Sequence, residues 1–142
     1  MILVDANLLI YSRSTSMPMH VAARRWLEEA LHGPALVALP WASLLAFLRL
    51  TTNPRVFERP DSLHSAWRQV EEWLDCPNVW IPAPGEDHRR IFTALLPHAT
   101  SANLIPDCHL AALAMEHGLT LCSADADFSR FPGLKWINPL AR

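Results

Sequence analysis

Lysine is almost missing from this chain: of its twelve cationic residues, eleven are arginine and only Lys135 is lysine. Cysteine is scarce as well. Cys76, Cys108 and Cys122 form no Cys-x-x-Cys spacing, and the seven histidines form no His-x-x-x-His or Cys/His metal pattern. The thiols therefore read as reduced and structural, and His109 and His117 as surface or boundary residues. No apolar run is long enough to span a bilayer. The opening MILVDANLLIY is interrupted by Asp5 and lacks the basic leading region of a signal peptide. These absences predict a cytoplasmic protein with no membrane partner. A net charge of −2 removes any global electrostatic reason to expect a nucleic acid. Arginine does pair well with phosphate, so a local basic rim is compatible with the composition, as is a GC-rich coding bias.

The 142 residues, 51% hydrophobic and 18% charged, are enough for one domain, 1–142, with a real core. Glycine is limited to four residues, and twelve prolines supply most of the punctuation. ILVD (2–5) reads as a short apolar strand ending on an acid, followed by a turn-like ANLLIY. From about Met19 to Leu31 the spacing predicts a helix with Val21, Ala22, Trp26, Leu27, Ala30 and Leu31 on its buried face. ALVAL (35–39) is a second strand, and Pro40 opens a helix from Trp41 to about Thr52. Ser62 reads as the N-cap of the next helix. VWIP (79–82) is a third strand, and helices follow over Glu86–Leu96 and Asp107–His117, the latter closed by Gly118. LTLC (119–122) and a strand near Lys135–Ile137 complete the pattern. Trp41, Phe47, Trp67 and Trp73 read as packing residues. Short apolar strands alternating with helices predict an α/β fold with a mainly parallel sheet of about five strands, covered on both faces.

In such sheets the crevice lies beyond the carboxyl ends of the strands. Asp5 ends the first strand, and Asp125 and Asp127 sit in SADADF just after the fourth. Asp107 lies in the first turn of a helix opened by Pro106, where a carboxylate is favoured by the helix dipole. Each acid has a local explanation: an Asx turn for Asp5, a first-turn charge for Asp107, caps of DFSRF for Asp125 and Asp127. Together on one edge they point to a divalent cation, and an all-oxygen donor set favours Mg²⁺ or Mn²⁺ over zinc. Such ions serve phosphodiester cleavage.

ILVDAN, PWASLLAFLRLTTNPRVF, PDCHLAALAMEHG and LCSADADFSRFPGLKWINPL together resemble the PIN-domain ribonucleases, and among them the VapC-type toxins. The resemblance implies a three-layer α/β/α sandwich, metal-dependent cleavage of RNA, a homodimer and inhibition by a VapB-type antitoxin. It implies metal ligation by Asp5, Asp107 and Asp125 with Mg²⁺ (Mn²⁺ substituting), and a catalytic place for Asp127. Asn7 and Ser123 are expected to orient ligands or water. Arg49 is a candidate phosphate holder or a solvated helix charge, and Asn103 a neutral stand-in ligand. Val56 and Phe57 are candidate dimer or antitoxin contacts.

One departure from the family pattern is serious. A glutamate usually lies near the position of Ala46, and no acid occurs from Trp41 to Asn53. Glu116 falls roughly 180° around its helix from Asp107 and is expected to point away; Glu86, Asp87 and His88 are left open as substitutes. The alternative to a working nuclease is a degenerate domain that binds RNA or a protein without cutting. A phosphotransfer fold with an Asp-x-Asp at the first strand is disfavoured by Asp5-Ala6-Asn7.

Overall fold

The structure, a computed structural model, describes residues 1–141; Arg142, the last residue of the expected domain, lies outside them. Its strands are very short: β1 (Ile2–Val4), β2 (Val37–Ala38), β3 (Val79–Trp80), β4 (Thr120–Cys122) and β5 (Trp136–Ile137). All pair in parallel, in the order β3-β2-β1-β4-β5. Successive side chains alternate faces. Leu3, Ala38 and Leu121 therefore enter one core, while Val4, Val37 and Cys122 enter the other.

Helices α1 (Ala6–Arg13), α2 (His20–His32), α3 (Trp41–Thr51) and α4 (Leu63–Leu74) cover the second face through Leu8, Leu9, Leu27, Leu44, Phe47 and Val70. Helices α5 (His88–Leu95) and α6 (Ile105–His117) cover the first, joined by Phe128 from a 3-10 turn at Ala126–Arg130. The result is the expected three-layer sandwich. From β1 the chain works outward to β2 and β3, then crosses back to place β4 on the other side of β1. Strand order thus reverses between β1 and β4, which opens a crevice at their carboxyl ends.

Two expectations need correction. ANLLIY is not a turn but the body of α1, capped by Asp5. With Leu8, Leu9 and Ile10 all buried, it lacks the polar face that would have marked it as an amphipathic helix. On α2, Val21 and Ala22 are exposed, and Ala23 is buried along with Leu27 instead. Val21 lies roughly 200° around the helix from Ala23, beyond the flank of the buried stripe. Among the aromatics, Phe47 and Trp73 are core and meet edge to face at 4.8 Å. Trp41 and Trp67, 45% and 39% exposed, instead stack on each other at the surface, 8° from parallel. No described helix is long and apolar enough to cross a membrane.

Candidate functional site

β1 runs into α1 with a single residue between them, and that residue is Asp5. Its backbone is extended, and its Oδ1 accepts from the Ala6 N–H at 2.7 Å, satisfying an orphan donor of the helix start. Its own N–H donates to the Cys122 carbonyl at 3.0 Å, which fixes it against the end of β4. The other carboxylate oxygen accepts from the Ser123 hydroxyl at 2.7 Å.

Ser123 is completely buried and is the hub of the crevice floor. Its oxygen also accepts from the Asn7 side-chain amide and from the Asp125 N–H, each at 3.0 Å. One donation and two acceptances exhaust a hydroxyl. Asn7 returns through its carbonyl oxygen, which accepts from the Ala124 N–H at 3.4 Å. Asn7 and Ser123 together lock the start of α1 to the turn after β4. In that turn Asp125 is itself an N-cap, its Oδ1 accepting from the Asp127 N–H at 2.9 Å.

Asp107 reaches the same place from α6. It lies in the first turn behind Pro106 and is half-buried. Its carboxyl is pushed up to about 7, chiefly by burial, then by the charges of Asp5, Asp125 and Asp127, with Arg130 the opposing influence. Burial also raises Asp5, against the bonds from Ser123 and Ala6, and the nearby Asp125 adds to the rise. The four aspartates therefore share one electrostatic neighbourhood, in which Asp107 holds its proton well above the usual carboxylate range.

Asp127 differs from the other three. It is exposed, and its Oδ1 takes the Arg130 guanidinium at 3.1 Å. Asp125, rather than Asp127, caps the following turn. Arg130 was not anticipated; only the i,i+3 spacing to Asp127 could have signalled it, given a helical turn there. Arg49 and Asn103 are both exposed, on the last turn of α3 and on a 3-10 turn before α6, and neither joins the hydrogen-bonded floor. Glu116 does point away: it accepts from the Gly85 and Asp87 N–H groups at 2.8 and 3.0 Å. His88 faces Glu116 and Asp87 pairs with Arg90. The 86–88 segment is thereby committed to the far side of α6 and cannot replace the missing glutamate. Ala46 is half-buried on α3, whose Ser43 hydroxyl is tied to the Val4 carbonyl at 2.7 Å, next to Asp5.

Among the described residues, no three His, Cys, Asp or Glu side chains form a ready metal-binding group. The donor chemistry nevertheless fits a hard divalent cation. Asp5, Asp107 and Asp125 offer hard oxygens within electrostatic reach of one another, and a cation would offset the burial and like charge that raise Asp107.

Residues 2–134 match the PIN domain family. The chain is 42% identical over 140 residues to Ribonuclease VapC37 of Mycobacterium tuberculosis, covering 98% of this chain and 97% of that protein. It is 38% identical to Ribonuclease VapC33 of the same species, over 99% of both. Among solved structures, the fold is similar to VapBC2 from Rickettsia felis bound to a promoter DNA fragment, with a TM-score of 0.70, 16% identity and 97% and 98% coverage. It is also similar to the Mycobacterium tuberculosis sarcin–ricin-loop-cleaving toxin VapC20, with a TM-score of 0.68, 18% identity and 95% and 99% coverage.

Proposed function

This chain belongs to the PIN-domain family, and from that membership we propose that it is the ribonuclease toxin of a toxin–antitoxin pair, hydrolysing RNA phosphodiester bonds at the Asp5–Asp107–Asp125 crevice. The observation that carries the reading is geometric: at the carboxyl ends of β1 and β4 the buried Ser123 hydroxyl ties the Asp5 carboxylate to the Asp125 backbone, and Asp107 of α6 is close enough to feel the charge of both. Acids serving only as caps do not need to face one another, and such crowding is sustained where a cation or a shared proton answers it.

Asp5, Asp107 and Asp125 would hold one Mg²⁺ or Mn²⁺. When bound, the ion supplies charge neutralisation at the scissile phosphate and lowers the pKa of a water. The protein's own part is positioning. Ser123 and Asn7 fix the Asp5 carboxylate from behind, so that its geometry does not depend on the ion. Asp125 is held by its cap bond to the Asp127 N–H, and Asp107 by the rigid start of α6. Ala46 in place of an acid leaves the site one carboxylate poorer, which weakens the ion's hold without removing it.

An antitoxin partner is supported by the kinship with VapBC assemblies, and a homodimer is part of the same reading. The loop after α3 carries exposed Val56 and the half-buried Phe57, which lines a cleft of about 580 Å³ with Arg13, Arg59 and Asp61. That cleft is a suitable seat for such contacts.

The test is cleavage of RNA by the pure protein with Mg²⁺ or Mn²⁺, stopped by EDTA. Cleavage that persists in EDTA, in a preparation free of other nucleases, overturns the metal mechanism. If neither cleavage nor metal-induced stabilisation appears, the non-cleaving RNA- or protein-binding domain favoured by Ala46 takes its place.

A further inference from the structure

Among the described residues Arg130 is the cation that counters the charge on Asp107, and it is unusually well held for a surface arginine. It lies at the end of the 3-10 turn Ala126–Arg130, with its side chain 31% exposed. Its Nε donates to the Asp127 carbonyl at 3.1 Å, and one Nη donates to the Asp127 carboxylate at 3.1 Å. Its other Nη donates to the Thr100 hydroxyl at 3.1 Å, across to the loop that leads into α6. A guanidinium carries five N–H groups in a planar fork. Three are used, so one remains on each Nη for an anion. Arg130 also counters the negative field on Asp107, which places its charge close to where an RNA backbone would meet the aspartates.

We propose that Arg130 is a phosphate-binding residue for the RNA substrate, pre-aimed by Asp127 and Thr100, and that Asp127 serves this arginine rather than the metal. The inference rests on the ribonuclease reading above and adds a residue to it. An exposed arginine ordinarily loses much rotamer freedom on gripping a phosphate. Here three protein bonds have already fixed the fork. The pairing with Asp127 also leaves the metal site with three carboxylates, which suits a single ion. RNA approaching an acidic crevice is otherwise repelled, and the net charge of −2 supplies no global attraction to offset this.

The experiment measures binding of a fluorescein-labelled single-stranded RNA by anisotropy in EDTA, so that no metal and no cleavage enter the reading. The wild type, Arg130→Gln and Arg130→Lys are compared over a NaCl series. One lost phosphate contact on a single strand lowers the slope of log affinity against log salt by ~0.7. Arg130→Gln is expected to show that loss, and Arg130→Lys, which keeps the charge, is expected to retain the slope while binding severalfold more weakly. In parallel, Asp127→Ala is expected to keep the Mn²⁺-induced rise in melting temperature of the wild type. A wild-type slope in Arg130→Gln overturns the phosphate role, and loss of the Mn²⁺ effect in Asp127→Ala returns Asp127 to the metal. Equal slope losses in Gln and Lys variants reduce Arg130 to a structural tie and also overturn the proposal. A wild type that binds RNA and shows the Mn²⁺ effect keeps the ribonuclease reading intact through any of these. A wild type that neither binds RNA nor responds to Mn²⁺ removes that reading instead.

Discussion

Helix α6 carries two acids nine residues apart that meet opposite fates. Glu116, near its end, receives two backbone N–H bonds from the 85–87 turn, and these, with that from Gly85 first, hold its carboxyl below the usual range. Asp107, in its first turn, has the more favourable end of the helix dipole and is nevertheless raised, by burial and by three neighbouring aspartates. One side of the helix spends its charge on holding a loop in place. The other keeps its charge unanswered. A carboxylate already satisfied by its own fold has nothing to offer a ligand, whereas one that the fold leaves frustrated is available for chemistry.

The sharpest way to break this contrast is to neutralise each acid in turn. Asp107→Asn is expected to lower metal-dependent RNA cleavage by at least about a hundredfold and to remove most of the Mn²⁺-induced stabilisation. Glu116→Gln is expected to do the reverse, lowering the melting temperature while leaving the Mn²⁺ increment in place. Melting curves of both variants, with and without Mn²⁺, decide it, and a common response in the two would erase the distinction.

Acidity probes the same contrast without mutation. Asp107 binds its proton more tightly folded than unfolded, so it stabilises the metal-free fold at low pH. That contribution is lost as pH rises from about 4 through about 7. Glu116 has the opposite sign, contributing stability above its unfolded pKa that is lost on acidification. The metal-free melting temperature of the wild type relative to Asp107→Asn is therefore expected to fall between about pH 4 and pH 7. The Mn²⁺ increment of the wild type should grow over the same range as the competing proton leaves.

A smaller effect is expected from Ala46→Glu. If this position borders the crevice, the added carboxylate lowers metal-free stability and enlarges the Mn²⁺ increment, read by the same titration. Equal increments in parent and variant would place Ala46 away from the ion. The smallest change is on the satisfied side. A Cβ at Gly85 would stand 2.7 Å from the Glu116 Oε2, so Gly85→Ala forces that side chain to shift. A drop of a few degrees in melting temperature, with Mn²⁺ response and RNA cleavage unchanged, is the expected outcome.

The sequence made most of this architecture legible because each strand is an apolar run that ends on punctuation. The strands and all helices but α1 fell close to their expected places. The failure at ANLLIY is physical: a helix buried almost all round shows no periodic polar face, and it follows β1 without a loop to announce it. Asp5, Asp107 and Asp125 could be named in advance, since strand ends and helix starts fix which edge they occupy. The crevice floor could not. That Ser123 would join Asp5, Asn7 and Asp125 through one buried hydroxyl depends on β1 and β4 being neighbours. Nor could composition tell Trp41 and Trp67 from Phe47 and Trp73, since one pair stacks at the surface and the other fills the core.

The adjacency of β1 and β4 has a consequence for how the protein comes into being. Asp5 leaves the ribosome more than a hundred residues before Asp107 and Asp125. The central strand must wait for β4, added on its far side by the longest-range pairing in the sheet. Until then the Asp5 N–H has no Cys122 carbonyl to bind and its carboxylate no Ser123 hydroxyl. Folding during translation proceeds from the amino end, but pairings this distant in sequence form late. The nuclease proposed here thus cannot be assembled before β4 has been made, and a nascent chain stalled short of it lacks Asp125 and the support of Ser123.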